Sequence, residues 1–347
     1  MRLRYLISGI ILLFFLVFSS CDPNPGGQPL TLESLAEQLA AAANTDAEKA
    51  KVIWDWITDN ISYDVESYFA GTTGATSAED TLANGSSVCA GYANLYKALA
   101  DKLGLQSEVV NGYAKGYSYT EGYVFPDTNH AWNAVCIDGT WHLLDSTWGA
   151  GYVDNAHNFV KRLDTGWYLT DPEHFIFSHL PEQASWQLLD TSITKQRFEE
   201  LPDIDPGFFA WGFTPAQVYA EVDGGNYRGL VTKYNLSTPR SDISVIQAPV
   251  GRYLTAGAAY TFVVRLPSSL AVSFYCPSPA TWYFCADGSG DLPPYGSSSN
   301  YTGLNAGTKS ADGTYTFSIT PQAGELMLAD MYNTSGQSQF LLKYLVE

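Results

Sequence analysis

Basic side chains are scarce in this chain of 347 residues: 18 Lys and Arg stand against 36 Asp and Glu, a formal net charge of −18. Such a surface repels phosphate backbones, which excludes nucleic acid as a partner; it favours solubility and says nothing of a substrate. Histidine is also rare. His174 and His179, five residues apart with Asp171 and Glu173 nearby, suit neither one helical face nor a known ligand spacing. No metal and no cofactor is therefore expected. No repeat of solenoid period is present. The leading apolar run, residues 6–18, is too short to span a membrane comfortably as a mature helix. What remains is 46% apolar and 14% aromatic, which excludes disorder and gives a chain of this length a sizeable core with room for two domains.

The apolar run follows Arg2 and Arg4, the order of an export signal. It ends in Phe18-Ser19-Ser20-Cys21, which resembles the lipobox of bacterial lipoproteins, with Phe18 where leucine is usual. The resemblance implies a signal peptide over 1–20, acylation of Cys21, and an exported, membrane-anchored protein of the periplasm or cell surface. A plain signal peptide or signal anchor would also put the bulk of the chain outside the cytoplasm. Residues 21–30, rich in Pro and Gly, read as a tether. In an oxidising compartment Cys276 and Cys285, close together in a Tyr- and Pro-rich stretch, are the natural disulfide candidates. Cys89 and Cys136 need another explanation.

Order is expected from Thr31. Leu32, Leu35 and Leu39 share a helical face, Thr45 with Glu48 reads as a capping box, and Val52, Ile53, Trp56 and Ile57 form a buried stripe. Residues 71–87 read as loop and 88–103 as helix, stopped by Gly104, with short strands at 107–113, 131–137 and 141–145. This domain, 31–204, is α+β. Near residues 201–206 helical patterns give way to period-two runs, such as 260–266 and 315–319. The segment 205–347 therefore reads as an all-β immunoglobulin-like sandwich.

Cys89 sits just inside the start of the helix at 88–103, where the helix dipole and free backbone amides favour thiolate and offer an oxyanion donor. A second group comes from a hairpin. Asp138-Gly139 between two apolar runs signals a two-residue turn, which pairs Ile137 with Thr140, Cys136 with Trp141 and, counting outward, Trp132 with Asp145. His130 then shares a face with Asp145 as its diagonal neighbour, roughly 7 Å away at Cβ. A carboxylate there fixes the histidine tautomer and leaves the other ring nitrogen for a nucleophile. Alternation turns His142 to the opposite face. Cys136 is expected to pack as a small hydrophobe near the site, and Trp132 and Trp148 are candidates for a wall of the acyl-substrate pocket.

These residues resemble a family. Ser87-Val88-Cys89-Ala90-Gly91-Tyr92, Asn129-His130-Ala131-Trp132-Asn133 and Trp141-His142-Leu143-Leu144-Asp145-Ser146-Thr147-Trp148 look like the three motifs of transglutaminase-like domains. Later segments, Tyr168-Leu169-Thr170-Asp171-Pro172-Glu173-His174-Phe175 and Ser178-His179-Leu180-Pro181, are similar to its kyphoscoliosis-peptidase branch. The resemblance implies a papain-like domain with Cys89 as nucleophile, His130 as base and then acid, and Asp145 as its orienter. It also implies a following immunoglobulin-like domain. The expected activity is attack on protein or peptide amides through a thioester, with hydrolysis preferred over acyl transfer and peptidoglycan peptides among the substrates. The rival expectation is a non-catalytic surface adhesion or scaffold protein.

Overall fold

The computed structural model describes residues 30–234, 243–265, 272–277, 280–286, 302–330 and 339–347. The expectations for the signal peptide, Cys21 and the tether fall on residues 1–29, outside that set. Among the described residues no helix is long and apolar enough to cross a membrane.

Helix α1 (Leu32–Ala41) buries Leu32, Leu35 and Leu39 as expected. At the start of α2 (Asp46–Asn60), Thr45 Oγ1 accepts from the Glu48 amide and the Glu48 carboxylate accepts from the Thr45 amide. This capping box satisfies two amides that the helix leaves without partners. The buried face of α2 is turned slightly from the expected stripe, since Trp54 lies in the core with Ile53 and Ile57 while Val52 and Trp56 are only partly buried. Strand β1 (Ser62–Tyr63) and helix α3 (Val65–Phe69) follow.

The loop expected over 71–87 is interrupted by α4 (Ala78–Asn84). Ser77 caps it by accepting from the Asp80 amide, and Gly85 closes it in the left-handed region at φ 63°. Strand β2 (Ser86–Ser87) pairs in parallel with β1 and delivers the chain to α5 (Cys89–Lys102). Gly91 permits α5 to lie against α4: a Cβ there would meet Ser87 Oγ at 2.1 Å and Thr81 Oγ1 at 2.4 Å.

The strands that carry the site are β3 (Ser107–Ala114), β4 (His130–Ile137) and β5 (Thr140–Leu144). Helix α6 (Ser146–Ala150), the small ribbon of β6 (Gly151–Val153) with β7 (Phe159–Lys161), and α7 (Pro172–Phe175) lead to β8 (His179–Pro181). The four-stranded antiparallel sheet runs in the order β5-β4-β3-β8. The hairpin keeps the register read from the sequence: Ile137 faces Thr140, Cys136 faces Trp141, and pairing reaches Asn133 with Leu144 without a shift. Asp138 and Gly139 adopt φ of 50° and 81°, the two left-handed positions of a tight hairpin turn. Alternation sends Val135 and Ile137 into the cluster with α2 and α5, and Trp132 and Ala134 into a second cluster with Trp167 and Phe175. The result is a mixed α and β core.

The change of character expected at 201–206 does not occur there. After α8 (Lys195–Glu200) come α9 (Pro206–Ala210) and α10 (Pro215–Asp223), each opened by a proline in its first turn, where the missing N–H costs nothing. Strands then take over: β9 (Thr232–Lys233), β10 (Ser244–Gln247), β11 (Tyr253–Leu254), β12 (Tyr260–Arg265), β13 (Val272–Pro277), β14 (Ala280–Ala286), β15 (Thr302–Lys309), β16 (Thr314–Ile319), β17 (Gly324–Asp330) and β18 (Gln339–Val346). They form one hydrogen-bonded path, β10-β12-β16-β15-β14-β13-β17-β18-β11, with β9 beside β18. Phe262 of β12 and Phe274 of β13, far apart along that path, touch at a ring separation of 4.4 Å. The sheet therefore curls over a shared interior.

That interior is not sealed from the first domain. Phe125, Phe177, Leu180 and Phe198 belong to the same buried cluster as Phe262, Phe317 and Leu342. Lys115, 2% exposed, ties the junction by donating to the carbonyls of Phe198 at 2.8 Å and Leu201 at 2.7 Å, and burial pushes its pKa down to about 7.

The proposed pairing of Cys276 with Cys285 is overturned. Cys276 faces Thr281 across β13 and β14. Cys285 thus lies four residues further along, roughly 13 Å at strand rise, whereas a disulfide needs Cα atoms within about 7 Å. Cys276 is free, and its thiol donates to the Glu325 carbonyl at 2.9 Å.

Candidate active site

Cys89 is the first residue of α5, and the N-cap before it, Val88, offers no side-chain cap. The positive end of a 14-residue helix thus faces the thiol, with amides free to donate. His130 opens β4, and Asp145 follows β5 as the N-cap of α6. The capping fixes Asp145: Oδ1 accepts from the amides of Thr147 at 2.7 Å and Trp148 at 3.1 Å. Oδ2 is then turned toward His130, whose Nε2 lies 2.7 Å away. The hairpin register thereby brings His130 and Asp145 together, as the sequence predicts.

The three groups charge one another. Burial pushes the Cys89 thiol up, but the charge of His130, a side-chain hydrogen bond to it and the Ala131 backbone N–H outweigh burial, and the thiol ends below its ordinary value. Burial pulls the His130 imidazolium down, yet the Asp145 carboxylate and Cys89 together hold it well above its ordinary range. Asp145 is fully buried, which by itself raises its pKa; the charge of His130 and hydrogen bonds from His130 and His179 instead hold it far below the carboxylate range. Since Nε2 of His130 is engaged by Asp145, Nδ1 is left for the thiol. A lowered thiol beside a raised imidazole that a carboxylate holds is the group set that attack on a carbonyl with proton shuttling would require.

His179, whose spacing from His174 suits no metal site, belongs here. Its Nε2 lies 3.2 Å from the same Asp145 Oδ2, and its Nδ1 lies 2.8 Å from Ser178 Oγ. The ligand atoms of His130, Asp145 and His179 lie within 4.8 Å of one another, the group among the described residues arranged closely enough to share a metal ion. Both histidine Nε2 atoms already point hydrogen bonds at one carboxylate oxygen, so the set is a hydrogen-bonded chain. His174 is elsewhere, stacked on Phe209 at 4.4 Å. His142 pairs opposite Val135, away from Asp145, as alternation requires.

The two tryptophan candidates part company. Trp148 lines a cleft of about 360 Å³ together with His130, Tyr63, Tyr117 and Tyr152, and the charged residues Arg162, Asp164 and Asp203 belong to the same lining. Trp132 is not in that wall; it is 1% exposed and packs on Phe175 and His179. Cys136 is likewise remote from the site, six residues along β4 from His130, roughly 20 Å at strand rise. Cys89 is half-buried and is not part of the cleft wall.

Residues 33–146, a stretch that contains Cys89, His130 and Asp145, match the family described as the transglutaminase-like superfamily, in keeping with the mixed α and β core. Among individual proteins, kyphoscoliosis peptidase of Mus musculus and that of Homo sapiens are each 38% identical to this chain over 170 residues, covering 48% of it and 26% of the relative. Hillarin of Drosophila melanogaster is 33% identical over 196 residues, covering 52% of this chain and 24% of its own length. The chain thus spans about a quarter of the length of these relatives.

Proposed function

We propose that the first domain is a cysteine enzyme acting on protein or peptide amides. The observation that carries the reading is the 2.7 Å contact between His130 Nε2 and the fully buried Asp145, with Cys89 at a helix start near enough to the same imidazole for its charge to lower the thiol. The Cys89 thiolate attacks the amide carbon, and the oxyanion is met by the amide at the α5 start. The C–N bond then breaks, His130 gives its proton to the departing amine, and a thioester remains. Water attacks the thioester as His130 takes its proton, and collapse releases a carboxylic acid and the thiolate. Water is the preferred acceptor because it needs no pocket of its own, whereas acyl transfer requires a bound amine.

A thiol-directed probe on the full-length protein at neutral pH is expected to label Cys89 and to lose that label in His130→Ala. An inert Cys89 in the wild type would favour the scaffold reading.

The strand path that curls over Phe262 and Phe274 supports an immunoglobulin-like sandwich for the C-terminal part. The N-terminal residues support export and anchoring through Cys21, which puts extracytoplasmic peptides, peptidoglycan peptides included, within reach of the cleft. Cys21→Ser is expected to move the protein from the membrane fraction to the soluble one. Retention in the membrane would argue for an uncleaved signal anchor.

A further inference from the structure

His179 is a fully buried titratable group that the proposed chemistry does not use. Its backbone is paired on β8 opposite Ala114 of β3. Its ring is locked: it stacks on Phe175 at 4.2 Å and 19°, with Trp148 at 4.3 Å and Trp167 at 5.3 Å. From that cage Nε2 reaches Asp145 Oδ2 at 3.2 Å. The carboxylate dictates the tautomer. A bare Nε2 would set lone pair against lone pair, so Nε2 carries the proton, and Nδ1 accepts from the Ser178 hydroxyl at 2.8 Å.

We infer that His179 is a positioning residue for the proposed reaction: as a neutral imidazole it donates Nε2–H to Asp145 Oδ2 and holds the carboxylate that orients His130. The Thr147 and Trp148 amides hold Oδ1, while Oδ2 meets His130, the group it must orient, and His179, the second partner that fixes Oδ2 independently of His130. The inference rests on the reading of Cys89 as the nucleophile. A neutral state fits the surroundings, since burial and the charge of His130 depress the pKa of His179 to about 4 against the opposing pull of Asp145. The other titratable groups facing this chain are Cys89 and Tyr92 of α5, His130 of β4 and Tyr63 of β1, the two phenols being kept neutral by burial.

The test is the pH dependence of Cys89 alkylation by iodoacetamide in the full-length protein, read by mass spectrometry, with two variants that separate hydrogen bonding from packing. His179→Phe keeps a flat ring in the aromatic cage and removes the donor. His179→Gln keeps an amide N–H at the reach of Nε2 and removes the ring. His179→Phe is expected to react about tenfold more slowly than wild type at about pH 6 and to converge with it above about pH 9, whereas His179→Gln follows the wild-type curve. A His179→Phe curve that overlays wild type overturns the inference, as does a His179→Gln curve displaced equally far. Should His179→Gln fail to fold, the 15N shifts of His179 in the wild type decide: Nε2–H with bare Nδ1 supports the role, and the opposite tautomer or an imidazolium overturns it. A wild-type Cys89 that alkylates as an ordinary thiol, with a midpoint near about 8.5, removes the underlying enzyme reading itself, a failure distinct from either of these.

Discussion

Cys89→Ala is expected to lower kcat by a factor on the order of 10⁵ to 10⁶ toward any peptide amide the wild type cleaves, with the thermal midpoint nearly unchanged. The size follows from the chemistry. Without the sulfur no thioester forms, and His130 and Asp145 are left to activate water on a carbonyl that nothing holds covalently. Neither of the other free thiols among the described residues substitutes, because Cys136 lies roughly 20 Å along β4 from His130 and Cys276 is buried in the C-terminal interior. The fold should tolerate the change, since Cys89 is half-buried and lies in none of the hydrophobic clusters. Cys89→Ser tests the same point more finely: it nearly preserves shape, yet a hydroxyl is not ionised by a neighbouring imidazolium, so its activity should fall almost as far. Retained turnover in either variant would remove Cys89 from the chemistry.

Asp145→Asn is expected to cost about 10³ to 10⁴ in kcat, and to lower stability as well. Asp145 accepts four hydrogen bonds, two on each oxygen, from Thr147, Trp148, His130 and His179. In the variant Oδ1 still caps α6, and the new amide nitrogen takes the place of Oδ2. It then points N–H groups at two histidine Nε2 donors inside a buried site, a conflict worth about 2 to 5 kcal/mol. His130 relieves it only by adopting the tautomer that turns a proton toward the thiol, which removes the base. The pH dependence has a definite sign. The folded pKa of Asp145 is depressed, so the stability it contributes is fully present above the unfolded value of about 3.9 and is lost as pH falls through the folded value. The stability gap between wild type and Asp145→Asn, read from denaturant midpoints, should therefore narrow in acid below about pH 4, and again in alkali as pH rises toward the raised His130 value of about 10. A gap that closes near neutrality would contradict the assignment.

How much of this could be read in advance depended on how local the signal was. The hairpin was legible because its register is set by two residues, Asp138 and Gly139, whose left-handed backbone admits few alternatives; everything from Ile137 back to His130 follows by counting. The start of α5 was legible because small residues and a glycine punctuate it. His179 was not. It reaches Asp145 across 34 positions from an edge strand of three residues, too short to show a period. Its only local trace is that Ser178-His179 sits in a segment resembling the kyphoscoliosis-peptidase branch. Helices α9 and α10 were missed because each is short and begins at a proline, a residue read as punctuation. The disulfide failed for a different reason: proximity in sequence says nothing of strand register, and the register sets Cys276 opposite Thr281. Trp132 shares the His130 face of β4 by alternation, but it lies two residues further into the sheet, where Phe175 and Trp167 cover it.

The claim on which the account depends is that His130 carries a positive charge because Cys89 carries a negative one and Asp145 holds the imidazole between them. A 15N-detected titration of His130 in the full-length protein measures this directly. The account predicts a His130 imidazolium that persists through neutral pH in the wild type and titrates at markedly lower pH in Cys89→Ser. A His130 that is neutral at pH 7 in the wild type, or that titrates identically in the two proteins, would contradict it.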